Sequence, residues 1–256
     1  MGSFGFNVAQ KKDQSPSYTL MRRNILNKNS SFFVRESYKS LRTNIRFFQA
    51  VEDCQKFCIT SSQAGEGKSI TLLNLAITFA ESGQKVLLID ADLRRPSQAR
   101  LLIEQASPGL SNVLAGHCTE EDAIRPSTYP NLDMLYSGEI PPNPSELLGS
   151  PRMKTMIDWL SEKYDYILID TPPVGFVSDA CLVAKALDGM IFLVRQNRTE
   201  KEQLSRCLQQ VKNAGVRLMG FVLNGATGDG TGKYKYNYRY KYKYSYVSND
   251  KATREK

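Results

Sequence analysis

Apolar residues follow two rhythms along the chain. From Phe32 to Phe48 the spacing is helical: Leu41, Ile45 and Phe48 recur at intervals of four and three. Beyond that segment, short unbroken apolar runs take over. They are Lys56–Ser61 (KFCITS), Lys85–Asp90 (KVLLID), Leu132–Tyr136, Tyr166–Asp170 (YILID), Gly189–Val194 (GMIFLV) and Met219–Leu223. A run of that length, apolar at consecutive positions, predicts a strand buried on both faces. Helices are predicted between them. One covers Ser69–Ser82 with Gly83 closing it. Another runs from Ser145, as its cap, to about Lys163, and two more lie near Asp179–Leu187 and Thr199–Ala214. Strands alternating with helices predict an α/β fold: a parallel sheet flanked by helices on both faces.

The rhythm is absent at both ends. Residues 1–31 are polar and mixed and read as a flexible leader, residues 32–225 as the folded domain, and residues 226–256 as a glycine-rich linker and tail. Within the tail, KYKYNYRYKYKYSY places tyrosine at every second position: Tyr234, Tyr236, Tyr238, Tyr240, Tyr242, Tyr244 and Tyr246. Lysine and arginine fill most gaps, so the segment cannot be a core strand. It reads as disordered and accessible.

The 256 residues suit one α/β domain with extensions. No run approaches the roughly 18–20 apolar residues of a membrane-spanning helix. The opening MGSFGFNVAQKKDQ lacks the apolar stretch of a signal peptide. A soluble, cytoplasmic protein is expected. The net charge of +8 sits mostly in the tail, where eight basic residues from Lys233 onward face Asp250 and Glu255 and leave +6. Cys54, Cys58, Cys118, Cys181 and Cys207 fit no metal or disulfide spacing, so reduced thiols are expected. His117, alone in a polar stretch, reads as a surface residue.

Three motifs carry chemistry. TSSQAGEGKS, Thr60 to Ser69, lies between a strand and a helix, where a phosphate-binding loop belongs. Gly65 and Gly67 let backbone N–H groups of the loop, with those of Glu66, Lys68, Ser69 and Ile70, turn toward phosphate oxygens. Lys68 would neutralise phosphate charge and Ser69 would bind Mg²⁺. LLIDADLRRP, Leu87 to Pro96, ends a buried strand on Asp90 and Asp92. YDYILIDTPP, Tyr164 to Pro173, ends another on Asp170. Carboxylates there can hold Mg²⁺ or accept a proton. No HRD, DFG or APE element of the eukaryotic kinases is present.

In this order GEGKS, LLIDADLRRP and ILIDTPP, with SGEIPPNPSELL (Ser137 to Leu148) and the tyrosine cluster, resemble the bacterial tyrosine kinase family. That family is related to the P-loop ATPases of partition and division-site placement. The resemblance implies an ATP- and Mg²⁺-dependent protein-tyrosine kinase whose tail tyrosines are acceptors. It implies that Asp90 activates the tyrosine hydroxyl, and that Lys68, Ser69, Asp92 and Asp170 serve phosphate and metal. It implies that Asn224 contacts adenine. The family's Glu-x-x-Arg-x-x-Arg self-association helix reads here as Glu36, Lys39 and Arg42, and its proline before GEGK is Ala64. Ring-like oligomers, a membrane-embedded activator or polysaccharide co-polymerase, a tyrosine phosphatase, and a role in capsule or exopolysaccharide production at the inner membrane face follow from the same resemblance.

Two rival readings remain at this point. A spatial-organisation ATPase would often carry an additional lysine early in its phosphate loop, where this chain has Ser61, Ser62 and Gln63. A nucleic-acid binder would use the basic, aromatic tail for stacking and charge; no nucleic-acid partner is expected here.

Overall fold

The computed structural model describes residues 16–47 and 54–226. The chain divides into two units, Met1–Asn224 and Gly225–Lys256. The tail tyrosines and Phe48 lie outside the described residues.

In chain order the elements are α1 (Pro16–Arg22), α2 (Phe32–Phe47), β1 (Gln55–Ser61), α3 (Lys68–Ala80), β2 (Val86–Asp90) and α4 (Gln98–Leu102). Then come α5 (Leu110–Leu114), α6 (Glu120–Ala123), β3 (Ile124–Pro126), β4 (Leu132–Leu135), α7 (Pro144–Leu148), α8 (Pro151–Ser161) and β5 (Tyr166–Asp170). The last four are α9 (Asp179–Ala184), β6 (Gly189–Arg195), α10 (Lys201–Asn213) and β7 (Leu218–Asn224). The strands form one seven-stranded sheet in the order β3-β4-β2-β5-β1-β6-β7. All neighbours run parallel except β3 against β4.

The sheet explains the unbroken apolar runs. Successive strand residues point to opposite faces, and helices cover both. On one face Leu87, Ile89, Ile167, Ile169 and Phe192 pack in a core with Leu160 of α8 and Val183 of α9. On the other, Val86, Leu88, Leu168, Ile191 and Leu193 pack with Leu72, Ala76 and Phe79 of α3. The fold is the expected α/β class.

Two segments differ from the sequence expectation. The helix expected from Ser145 to Lys163 is two helices, interrupted at Gly149 and Ser150. Ser150 caps the second by accepting the Met153 N–H, and Pro151 follows at its first turn. Ser145 caps nothing; its hydroxyl bonds Asp179 at 2.6 Å.

Within the stretch read as a leader, the described residues include helix α1 and a segment packed on the domain. Ile25 and Leu26 are buried, and Arg22 donates to the Arg100 carbonyl at 2.6 Å. The anchor is Asn74 on α3, which is 1% exposed. Its Oδ1 accepts the Leu26 N–H at 2.8 Å, and its Nδ2 donates to the Asn24 carbonyl at 2.9 Å. Asn74→Ala would strand both backbone groups and leave a small void. The expected cost is about 2–4 kcal/mol, read by urea unfolding, with faster proteolysis before Phe32.

Candidate active site

The site lies where β1, β2 and β5 reach their C-terminal ends, which is where parallel sheets place their ligands. β1 runs into the loop Ser62–Gly67, and α3 starts at Lys68. Gly65 (φ 75°) and Gly67 (φ 102°) adopt left-handed conformations that favour glycine. A Cβ on Gly67 would also stand 2.3 Å from Asn224 Nδ2. The loop therefore keeps its turn, and a close neighbour, only with glycine there. Ser69 and Ile70 lie in the first turn of α3, with their N–H groups at its positive end.

Lys68 is buried, and burial pulls its ammonium below the usual lysine range. The negative charges of Asp170, Asp92 and Glu66 oppose that shift. Asp90 and Asp170 are register partners on β2 and β5 and are fully buried. Burial, with the Asp170 charge next to it, pushes the Asp90 carboxyl well above the ordinary range. Asp170 is pushed up to about 6 by burial, against the pull of Lys68 and the Ser69 hydroxyl. Two desolvated carboxylates side by side resist double ionisation.

The structure assigns different company to each aspartate. Asp90 Oδ2 accepts the N–H groups of Ser97 and Gln98, both at 2.9 Å, and Oδ1 faces the Asp92 N–H at 3.3 Å. Asp90 is thus enclosed and bonded to backbone on both carboxylate oxygens. Asp92 is half-buried and accepts the Arg95 N–H through Oδ1. Asp170 Oδ2 accepts from Gln98 Nε2 at 2.8 Å, while its buried Oδ1 has no hydrogen-bond partner among the described residues.

That lone oxygen, beside Lys68, Ser69 and a glycine turn, fits a divalent cation held against a phosphate chain. A carboxylate oxygen buried with no donor is costly unless a cation meets it.

Other expected residues are placed as follows. Glu66 is fully buried with its carboxylate turned onto Gln63 and Thr199, so only its backbone can face a ligand. Asn224 ends β7 and donates from Nδ2 to the Glu66 carbonyl at 2.8 Å. On α2, Glu36 and Lys39 form an exposed ion pair of 2.8 Å. Arg42 does not share in it: its Nη1 reaches the Thr78 carbonyl on α3 at 2.6 Å.

Sequence reasoning missed two groups. Gln98, fully buried, bridges the Ser69 carbonyl and Asp170 with its side chain and reaches Asp90 with its backbone N–H, so one residue joins all three motifs. Arg94 forks onto Asp179 (2.7 and 3.3 Å) and bonds Ser145 (2.8 Å), tying the loop after β2 to α7 and α9. Among the described residues no helix is long and apolar enough to cross a membrane, and all five cysteines are free thiols.

Comparison with known proteins shows the family. Residues 54–217 match the AAA domain family. The tyrosine-protein kinase YwqD of Bacillus subtilis is 40% identical over 190 residues, covering 74% of this chain and 80% of that protein. The solved kinase domain of the Escherichia coli tyrosine kinase ETK superposes with a TM-score of 0.74 at 34% identity, over 78% of each chain. The septum site-determining protein MinD of Pyrococcus horikoshii, solved with Mg-ADP, gives a TM-score of 0.58 at 27% identity over 68% of this chain and 72% of that one. The chain belongs to the bacterial tyrosine-protein kinases.

Proposed function

We propose that this kinase phosphorylates its own C-terminal tyrosines, between subunits of an oligomer, using Mg-ATP. The observation that carries the reading is the buried Asp170 oxygen without a partner, set beside Lys68 and Ser69 at the open end of the sheet. Mg-ATP supplies the transferable phosphoryl group and a charge-neutralising cation when bound. The N–H groups from Gly65 to Ile70 cradle its phosphates, and Lys68 offsets their charge. Ser69 and Asp170 hold the cation, with Asp92 beside them. Asn224 keeps Oδ1 available for the adenine amino group.

Asp92, the one of the three aspartates that is not fully enclosed, aligns the acceptor phenol and takes its proton. Asp90 instead fixes the turn that carries Ser97 and Gln98. This differs from the role that the family resemblance gave Asp90, and the different surroundings of the two carboxylates are the reason.

The tail supplies acceptors in basic surroundings, suited to a site holding carboxylates and phosphate. Each phosphate adds about −1.5 to −2 charges, so full modification would reverse the tail's +6. In this reading the unmodified chain self-associates through the face bearing Glu36 and Lys39, with Arg42 buttressing α2 on α3, and modification loosens the assembly. A membrane-embedded activator would recruit it to the membrane and a tyrosine phosphatase would reset it, in control of capsule or exopolysaccharide synthesis and export.

The test is intact-protein mass spectrometry after incubation with Mg-ATP, on the full chain and on a variant with the seven tail tyrosines changed to phenylalanine. Stepwise phosphate gains mapping to Tyr234–Tyr246 are expected in the first and at most a trace in the second. Equal gains in both would refute the tail as acceptor. No gain in either, with a candidate activator's cytosolic segment present, would favour the spatial-organisation ATPase.

A further inference from the structure

The phosphate loop is gripped from its outer side by residues that no nucleotide-binding motif contains. Glu66 poses the problem: a fully buried carboxylate in a loop shaped for anions. Its orientation resolves the conflict. Oε2 accepts the Gln63 N–H at 2.8 Å, and Oε1 accepts the Thr199 hydroxyl. Thr199 is fixed in turn, because its Oγ1 accepts the Arg195 N–H at 2.8 Å. The charge is thereby turned away from the loop's hollow and clamps residue 63 to residue 66.

The segment joining β6 to α10 does more. Arg198 Nη2 donates to the Ala64 carbonyl at 3.3 Å, and Arg195 Nη1 donates to the Gly65 carbonyl at 3.2 Å. Asn224 takes the Glu66 carbonyl. Three successive carbonyls are thus held outward. In a planar trans peptide the C=O and the following N–H point opposite ways. Holding these carbonyls outward therefore turns the N–H groups of Gly65, Glu66 and Gly67 toward the hollow, as an anion nest requires.

We infer that Thr199, with Arg195 and Arg198, is a positioning latch that presets this nest for the polyphosphate chain of a nucleotide. The inference rests on the nucleotide reading above and extends it to residues that need not touch the ligand. Thr199 acts through Glu66. Without its hydroxyl, Oε1 is left buried with no donor, and the carboxylate gains by swinging toward water, where it opens the 63–66 turn. A hydrogen bond to a charged group is worth about 1.5–3 kcal/mol, or roughly tenfold to a hundredfold in affinity.

The experiment titrates the full-length protein with a fluorescent ADP analogue in the presence of Mg²⁺. In parallel it measures ATP kinetics with a peptide copying residues 233–246 as acceptor. Thr199→Val is expected to raise both the ADP-analogue Kd and the KM for ATP about tenfold or more, with kcat within about threefold of the parent. Thr199→Ser should return both to within about twofold. Arg198→Ala, at an exposed position and safe for folding, should raise Kd by about threefold. Binding within twofold of the parent in both Thr199→Val and Arg198→Ala would overturn the latch. So would a joint fall of kcat and affinity in Thr199→Val that serine does not restore, because that is the mark of general damage. If the parent itself shows no saturable binding, the nucleotide reading fails and takes the latch with it.

Discussion

Lys68→Met is expected to lower tyrosine phosphorylation by about 10³-fold or more while leaving the nucleotide-free protein as heat-stable as the parent. The two halves have separate causes. Removing one preorganised charge from a site that stabilises developing negative charge costs about 10²–10³ in rate, and the proposed role gives Lys68 a share in ground-state binding as well. Stability follows the opposite logic. The ammonium is buried, and burial outweighs the attraction of Asp170, Asp92 and Glu66 in setting its pKa. Methionine fills similar space without that desolvation. The checks are phosphate incorporation by intact mass, and melting with and without Mg-ATP. The parent should gain stability with nucleotide, by about 2.7 kcal/mol at a hundredfold excess over Kd, and the variant much less. Residual phosphorylation above about a tenth of the parent's would refute the role given to Lys68.

Asp170→Asn should lose activity on a similar scale and change how stability depends on pH. In the folded parent the Asp170 carboxyl is held near 6, above the ordinary 3.8, chiefly by burial. The native state therefore keeps a proton that the unfolded chain releases at lower pH. Between about pH 4 and pH 6 the nucleotide-free parent should lose stability as pH rises, and this contribution levels off above pH 7. The size is on the order of 2–3 kcal/mol, and Asp90 adds in the same direction. Asparagine cannot ionise, so the variant should show a flatter profile and match or exceed the parent at pH 7.5. Urea unfolding in EDTA at pH 5 and pH 7.5 measures the difference. A parent that becomes more stable from pH 5 to pH 7 would contradict the buried pair. Nucleotide-dependent stabilisation should largely vanish in the variant.

The legible parts of this protein were those in which neighbours in sequence are neighbours in space. Runs such as KVLLID and YILID show their burial without reference to anything else, and GEGKS carries its turn in its glycines. The break between α7 and α8 was also written, as Ser150 before Pro151, yet the apolar residues on either side masked it. The rest depends on distance along the chain. Asp90 is enclosed because residues 97 and 98 fold back over it, and Arg94 meets Asp179 across 85 positions. Gln98 has no apolar rhythm or motif to mark it. Leu26 looked like part of a polar leader because its partner, Asn74, is a polar residue hidden inside an apolar helix.

The order of strands in the sheet also sets a timetable for synthesis. β1 lies between β5 and β6, so both its partners are made after it. More than 100 residues separate Ser61 from Tyr166, which at about 5–20 residues per second leaves the nascent β1 edge unpaired for roughly 5–20 s. The strand that will carry the phosphate loop is thus a sticky, two-sided apolar ribbon throughout that interval. Changes that slow the ribosome between α3 and β5 should reduce soluble yield without altering the stability of the molecules that do fold.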